Sequence, residues 1–274
     1  MTQLRFGLPE VQHWAAFSGD FNPIHFEPEQ ARRAGLDDLV VHGMLALLPV
    51  KAALAQAHAE GRGSPALHSA RWLRFNALFR SPVPHGATSV LALQPARSGG
   101  LDFRLLAEDT QRERFRGSFG PATDHGGWLR AHPLAAREFT ALPADAAAQF
   151  AASYPAVGEG WITLDAIVFS HFMRHKLALV TQGVQRELQQ LLGASAPGLF
   201  VQASHSVCID THALASPGPL PFDAGELSCA MAPPELIANR DKLIGSVSLP
   251  VVRGGQLLML VEVGLLARPS PADS

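Results

Sequence analysis

The order of patterned segments is the feature that most constrains the fold of this chain. A long apolar helix is predicted from about Gly43 to His58, and strand patterns follow it up to residue 119. The longest helical pattern of the chain then covers residues 164–192, and strand patterns recur over residues 199–268. A long helix followed by several strands, twice over a period of about 135 residues, indicates two copies of one α+β unit rather than a solenoid.

The repeat predicts two domains within the 274 residues, 1–125 and 126–274. The boundary falls in the segment 120–133, where glycines and prolines separate the two sets of strand patterns. Hydrophobic residues make up 47% of the chain, which is enough for a sizeable core and exceeds what a disordered chain contains. We therefore expect a compact protein with two similar halves.

Charge and composition disfavour several classes of partner. The chain has 22 basic and 24 acidic residues, so no strongly basic surface is predicted and nucleic acid is an improbable partner. The longest apolar stretches are interrupted by His42, Pro49 and Glu262, so no membrane-spanning helix is predicted. Cys208 and Cys229 lie in apolar runs without metal-ligand spacing and are predicted to be reduced core residues. Reduced cysteines and the lack of a signal-peptide pattern at the first residues predict a cytoplasmic location.

An aspartate and a histidine stand close together in the stretch S-G-D-F-N-P-I-H, residues 18–25, just after the predicted first helix. Pro23 disfavours helix at the residue before it and fixes the local backbone. Asp20 and His25 can therefore converge across a tight loop. A carboxylate beside an imidazole can hold a water molecule and favours the protonated imidazole. Such a pair has the groups needed to add water to a carbon skeleton or to remove it.

A glycine stands at the predicted start of the long apolar helix, in the stretch V-V-H-G-M-L, residues 40–45. The backbone N–H of Gly43 is unobstructed by a side chain and lies at the positive end of the helix dipole. It could polarise a carbonyl oxygen and stabilise an enolate. An acid, a base and an oxyanion donor are thus predicted within one short segment.

These stretches, together with A-R-R-A-G at residues 31–35, resemble the motif of the MaoC-like, (R)-specific enoyl-thioester hydratases. The resemblance is specific within residues 17–47 and weakens along the rest of the first half. It implies the hot-dog fold, in which an antiparallel sheet wraps a long central helix. With two such units in one chain, the implied architecture is a double hot dog of the α+β class.

The resemblance also implies roles for individual residues. Asp20 and His25 would be the catalytic pair that grips the water, and the Gly43 amide would bind the thioester carbonyl. Asn22 would shape the loop, and it is placed with His42 and Met44 on the substrate-binding side of the site. The family uses neither a metal nor a redox cofactor, and its substrates are acyl groups on coenzyme A or acyl carrier protein. A chain of this length could form the double unit alone or as a homodimer.

The second half lacks a second copy of the loop motif. Its helix carries S-H-F-M-R-H-K at residues 170–176 instead, so this half is predicted to have lost catalysis and to shape the acyl tunnel or the interface. Two rival functions stay open at this point. A hot-dog thioesterase would use a carboxylate of the second half, for which Asp165 and Glu187 are the candidates. A non-catalytic subunit would bind acyl thioesters for a partner enzyme.

Other charged and polar residues carry weaker hypotheses. Cationic side chains on the second helix and beside the first predicted strand are either solvated or bind phosphates of the acyl carrier; they are Arg71, Arg74, Arg80, Arg174, His175 and Lys176. The remaining histidines lack metal-ligand spacing, and the glycine patterns of phosphate-binding and dinucleotide-binding loops are missing. The serine nucleophile motif of the α/β-hydrolases is missing as well.

Overall fold

The structure is a computed structural model that describes residues 2–158, 160–192, 197–214, 219–239 and 242–269. Within these residues the helices are α1 Leu8–Ser18, α2 Pro28–Arg33, α3 Gly43–Ala59, α4 Pro65–Ser69, α5 Trp128–Ala131, α6 Ala146–Ser153, α7 Gly160–His175 and α8 Leu177–Leu192. The strands are β1 Thr2–Leu4, β2 Trp72–Phe79, β3 Ser89–Pro95, β4 Leu101–Ala107, β5 Glu113–Pro121, β6 Thr140–Ala141, β7 Pro197–Asp210, β8 Ser228–Cys229, β9 Glu235–Asn239, β10 Lys242–Arg253 and β11 Gln256–Pro269.

The described strands form a single antiparallel sheet that runs through both halves. Its order is β1-β3-β4-β5-β2-β7-β11-β10-β8-β6, and β9 pairs with β10. The halves join where β2 pairs antiparallel with β7, with Trp72 opposite Asp210 and Ala77 opposite His205. Backbone hydrogen bonds therefore continue across the junction, and neither half has an open sheet edge there.

Two buried helices lie against this sheet. Ten residues of α3 are buried between Met44 and Ala57, and the first ten positions of α7 are buried as well. A helix that is apolar on all sides needs partners on all sides, which the sheet and the other central helix supply. The predicted α+β class with two central helices and an antiparallel sheet is confirmed.

Pro49 lies inside α3, and the helix continues through it from Gly43 to Ala59. The ring removes one backbone donor, so the carbonyl four residues earlier has no helical partner at that point. The predicted start of the helix at the glycine is confirmed.

The longest helical pattern, predicted as one helix over residues 164–192, is two helices. α7 begins earlier, at Gly160, and the chain turns at Lys176 before α8. The two segments have different surroundings, because α7 is buried on most sides whereas α8 buries one face. That face carries Val180, Val184 and Leu188, which lie at the predicted spacing.

The segment that links the halves crosses the outer face of the sheet. Trp128, Leu129 and Phe139 of this segment pack on a small apolar cluster; its buried members are Trp72, Cys208, Val252, Leu257 and Leu260. Within the region of predicted strand patterns, residues 225–232 form a strand only at Ser228–Cys229. Both cysteines are free and buried, as predicted.

Candidate active site

The loop between α1 and the next turn is held in one conformation by short-range hydrogen bonds. α1 ends at Gly19, whose left-handed backbone (φ 78°) lets its N–H reach the carbonyl of Ala15 at 2.8 Å. The Asp20 carboxylate accepts from the N–H of Asn22 at 3.3 Å. The Asn22 side chain in turn accepts from Ile24 N–H at 3.3 Å and caps the short 3₁₀ turn that ends in the histidine. The loop thereby carries Asp20 and His25 to one place.

His25 is buried, and one hydrogen bond fixes its tautomer. Its Nδ1 lies 2.7 Å from the carbonyl oxygen of Val40. Because a carbonyl can only accept, Nδ1 carries the proton and neutral His25 presents the lone pair of Nε2. His85 Nε2 lies 3.2 Å from the same carbonyl and adds a second imidazole behind the first.

His42 connects the loop to the start of α3. Its Nε2 lies 2.9 Å from the backbone carbonyl of Asp20 and therefore donates to it. Its ring lies against the ring of His25 at an interplanar angle of 31°, with 3.7 Å between ring centroids. Its Nδ1 is buried and has no hydrogen-bond partner among the described residues. The His42 ring thus contacts both Asp20 and His25, and it leaves the Nε2 of His25 free.

Gly43 is the first residue of α3, so its N–H has no acceptor within the helix. The place where a Cβ would stand is filled by the ring of Phe79, which stacks on Phe115 at 4.7 Å. A larger residue here would have to push this ring aside. The helix terminus and the aromatic pair together form one wall beside the loop.

A cavity of about 750 Å³ opens beside these groups. Asp20, Asn22, His25 and Gly43 all line it. Its most buried lining residues come from both halves and are Val41, Val83, Phe115, Phe169, Phe172, Val263 and Leu265. The inner wall is therefore apolar, and both halves of the chain contribute to it.

The rim of the cavity is more polar and better exposed. Phe21 is 64% exposed, and the exposed residues Arg80 and Arg268 line the cavity from the two halves. Neither arginine has a carboxylate partner within the described part of the chain. An anionic group on a bound molecule could pair with them without displacing an existing ion pair.

Burial controls the protonation of the pair. Burial raises the pKa of Asp20, against the attraction of His25 and a backbone hydrogen bond. Burial lowers the pKa of His25 below its ordinary value of 6.5, against the attraction of Asp20. Burial, helped by the neighbouring His25, lowers the pKa of His42 to about 3. His42 is therefore neutral at physiological pH, and a neutral His25 is favoured as a proton acceptor.

Asp20, His25 and His42 also come close enough to share a cation, with ligand atoms within 4.8 Å of one another. Each histidine already uses one ring nitrogen on a backbone carbonyl, so one ring nitrogen of each is left for another partner. The Asp20 carboxylate and the free Nε2 of His25 could also hold a water molecule between them.

Other predicted residues lie elsewhere. Met44 and His42 are buried, and neither is among the described residues that line the cavity. His42 instead contacts the backbone of the loop. Arg71 pairs with Asp210, and Arg74 pairs with Glu262.

The carboxylates proposed for a thioesterase are also outside the cavity. Asp165 is fully buried in an ion pair with Lys51 and lies 2.8 Å from His205 Nε2. Glu187 lies on α8, and neither residue is among the lining residues that the structure describes. Asp20 is the sole carboxylate among those lining residues.

The sequence reasoning missed the contributions from outside the motif. His85, Phe79 and Ser81 approach the loop because residues 81–86 run beside residues 39–41, where Val41 N–H bonds Val83 at 2.8 Å. The proline-rich turn S-P-V-P-H-G after β2 was the available signal. The sequence shows only that Phe169 and Phe172 belong to an apolar helix. It does not predict that they line the cavity, because their position depends on how the two halves pack.

The fold and the loop define the class of protein as a double hot dog with a MaoC-type loop. The family model described as MaoC like domain matches residues 9–100, which include the loop, α2 and α3. This part of the chain is therefore similar to a MaoC-like domain, in agreement with the resemblance of its motif. Within the described residues, every helix is too short or too polar to cross a membrane.

Two curated relatives match the motif region. The mitochondrial 3-hydroxyacyl-[acyl-carrier-protein] dehydratase of Arabidopsis thaliana is 48% identical over 40 residues, which are 15% of this chain and 24% of the relative. The (R)-specific enoyl-CoA hydratase of Aeromonas caviae is 42% identical over 60 residues, which are 22% of this chain and 44% of the relative. The chain thus spans less than half the length of either relative.

A solved structure matches over nearly the whole length. A Mycobacterium tuberculosis protein described as having a double hot-dog fold aligns with a TM-score of 0.50 at 11% identity, covering 97% of this chain and 94% of that one. At this identity the likeness carries the fold alone. The double hot-dog architecture expected from the sequence is confirmed.

Proposed function

We propose that this chain is a hydratase or dehydratase, a carbon–oxygen lyase that adds water to a trans-2-enoyl thioester and removes it in reverse. The product of hydration would be the (R)-3-hydroxyacyl thioester. One observation carries the proposal: His25 presents an unprotonated Nε2 beside the Asp20 carboxylate. Both residues line an apolar cavity, and the N-terminal residue of α3, Gly43, lines it as well. The matching motif region of the two named relatives supports the same chemistry.

In the proposed reaction a water molecule lies between Asp20 and His25. The carboxylate orients it, and His25 Nε2 accepts one of its protons as the oxygen adds to C3 of the enoyl group. The thioester oxygen becomes an enolate oxygen and accepts a hydrogen bond from the Gly43 N–H. The proton then passes from His25 to C2, which regenerates the neutral imidazole. The sum is one water added across the double bond.

The lining of the cavity supports an uncharged acyl group. Its inner wall is made of aromatic and aliphatic side chains, and burying an unpaired carboxylate against them would be costly. The cations Arg80 and Arg268 stand only at the rim, where the carrier would lie. Coenzyme A and acyl carrier protein both present phosphate there, so the activity assay uses both carriers.

We also propose a division of labour between two units, residues 1–125 and 126–274. The first supplies Asp20, His25 and Gly43, and the second supplies part of the acyl wall through Phe169 and Phe172. No activity of its own is assigned to the second unit. Two units in one chain complete the site without a second chain.

The test follows loss of the enoyl absorbance band with crotonyl thioesters and longer enoyl thioesters on both carriers. We expect turnover by the wild type, and losses of roughly 10²-fold or more in the variants Asp20→Asn and His25→Ala. His175→Ala, which changes an exposed histidine outside the cavity, is the matched control and should keep wild-type rates. Unchanged rates in both loop variants would rule out the pair. If the wild type binds thioester but does not turn it over, the result would instead favour a non-catalytic subunit that binds acyl thioesters for a partner enzyme.

A further inference from the structure

Arg174 and Ser170 of α7 reach across to the end of α1, just before the loop. The Arg174 guanidinium Nη2 donates to the carbonyls of Ala16 at 2.6 Å and Phe17 at 3.0 Å. Ser170 Oγ donates to the Phe17 carbonyl at 2.9 Å and accepts from Arg174 Nε at 3.3 Å. These carbonyls belong to the last turn of α1, where no helical donors remain for them.

The stem of Arg174 also lies against the residue that starts the loop. A Cβ placed on Gly19 would stand 2.7 Å from Arg174 Cγ, so the two residues are in close contact. Gly19 directly precedes Asp20, whose N–H bonds Ser18 Oγ at 3.1 Å. A shift of the arginine would therefore be transmitted to the residue next to the carboxylate.

The contacts cross from one half of the chain to the other. Arg174 and Ser170 lie on the helix of the second half, whereas α1 and its loop belong to the first. Arg174 is not among the described residues that line the cavity, so it has no direct contact with a molecule bound there. The guanidinium is engaged by backbone carbonyls, which argues against the alternative that it binds carrier phosphates.

We propose that Arg174, supported by Ser170, is a positioning residue for the reaction: it clamps the end of α1 from the second half and so holds Asp20 at its working distance from His25. The inference rests on the proposed function for its kinetic consequence, but its structural consequence stands by itself. α7 of the second half would thus set the geometry of the site and also contribute to the wall of the cavity.

The test compares Arg174→Met, which keeps the stem but removes the donors, with Arg174→Lys, which restores one charged donor. In Arg174→Met we expect kcat to fall roughly ten- to a hundred-fold with KM nearly unchanged, because misplacing a reacting group affects the chemical step rather than binding. Arg174→Lys should recover part of the loss, and Ser170→Ala should give a smaller loss. Arg186→Met, on the exposed face of α8, is the matched control with wild-type kinetics.

A second readout does not depend on activity. Hydrogen exchange of the peptide that spans residues 16–26 should speed up in Arg174→Met, since the amides of Asn22 and Ile24 are held by loop side chains. Exchange in α3 and the melting temperature should change little. Equal loop exchange and equal kcat in wild type and Arg174→Met would overturn the clamp. An inactive wild type with faster loop exchange in the variant would instead overturn the proposed reaction and keep the clamp.

Discussion

The two central helices, α3 and α7, differ in what surrounds the residue at which each begins. At α3, Gly43 faces the cavity, with the loop on one side and the Phe79 ring on the other. At α7, Gly160 is buried, and a Cβ there would stand 3.0 Å from the backbone of Leu220. The same element thus begins beside an open cavity in one half and is covered by packing in the other.

This difference shows what the second half contributes to the molecule although it lacks the loop motif. Its central helix supplies Phe169 and Phe172 to the acyl wall and Asp165 to a buried ion pair. A unit that lacks the loop motif can still be needed, because part of the cavity wall beside the loop comes from it. Four predictions test this comparison.

The largest effect is expected at the buried ion pair between the central helices. Lys51 of α3 and Asp165 of α7 are both fully buried, and the lysine also lies 5.2 Å from the centroid of the Phe75 ring. Burial alone would raise the pKa of Asp165, but His205 and Lys51 together hold it at about 2, so the carboxylate is ionised. Asp165→Leu leaves a buried unpaired ammonium and should lower the free energy of unfolding by about 3–5 kcal/mol.

The measurement is denaturant unfolding of Asp165→Leu, Lys51→Met and the double variant. The double variant removes both charges and should recover much of the loss, although His205 still lacks its acceptor. Additive losses in the double variant would mean that the two side chains do not depend on each other. They would then not couple the two central helices.

The second prediction compares the two helix-start glycines directly. Gly43→Ala forces the Phe79 ring aside and should cost about 1–3 kcal/mol of stability, with roughly 10²-fold lower kcat. Gly160→Ala meets backbone and should cost a similar amount of stability while the kinetics of the remaining folded enzyme stay unchanged. Steady-state kinetics beside thermal melting separate the two outcomes. Equal kinetic losses at both glycines would contradict the assignment of chemistry to the first half alone.

The site loop and the class of fold were predictable because both depend on local sequence. Asp20, His25 and Gly43 lie within one short stretch of sequence, so their convergence beside one cavity could be predicted. The order of helices and strands followed from periodicity, and most strand positions agreed. The break at Lys176 was missed because the apolar spacing continues across it while the surroundings change.

The walls and supports of the site could not be predicted, for a different physical reason. Phe169, Arg174 and Lys51 take their roles from contacts more than a hundred residues away in the chain. Periodicity identifies the buried face of a helix, but not what that face meets. The ion pair in particular breaks the rule that charged residues lie outside, and only its partner explains it.

The third prediction concerns pH. Because burial lowers the pKa of His25 from 6.5, the proton-accepting form persists as the pH falls through 6.5, and the acidic limb of kcat/KM should lie below that value. The attraction of Asp20 opposes this shift, so Asp20→Asn should move the limb of the residual activity still lower. Since the two groups titrate together, the limb belongs to the pair rather than to either residue. A limb at or above 6.5 in the wild type would contradict a buried, neutral His25.

The smallest effect is expected at the rim, where the two halves should contribute alike. Arg80 and Arg268 are exposed and unpaired among the described residues, so each should add only a screened attraction for a phosphate of the carrier. Arg80→Gln and Arg268→Gln should each raise KM about two- to five-fold at low salt, with kcat unchanged, and the difference should shrink as salt is added.

The control for the rim is Arg253→Gln, whose guanidinium pairs with Glu226 and lies outside the cavity lining. It should leave KM unchanged at every salt concentration. If Arg80→Gln raises KM and Arg268→Gln does not, the carrier is held by the first half alone, and the contribution of the second half ends at the acyl wall. Equal effects would extend the shared construction of the site from its inner wall to its opening.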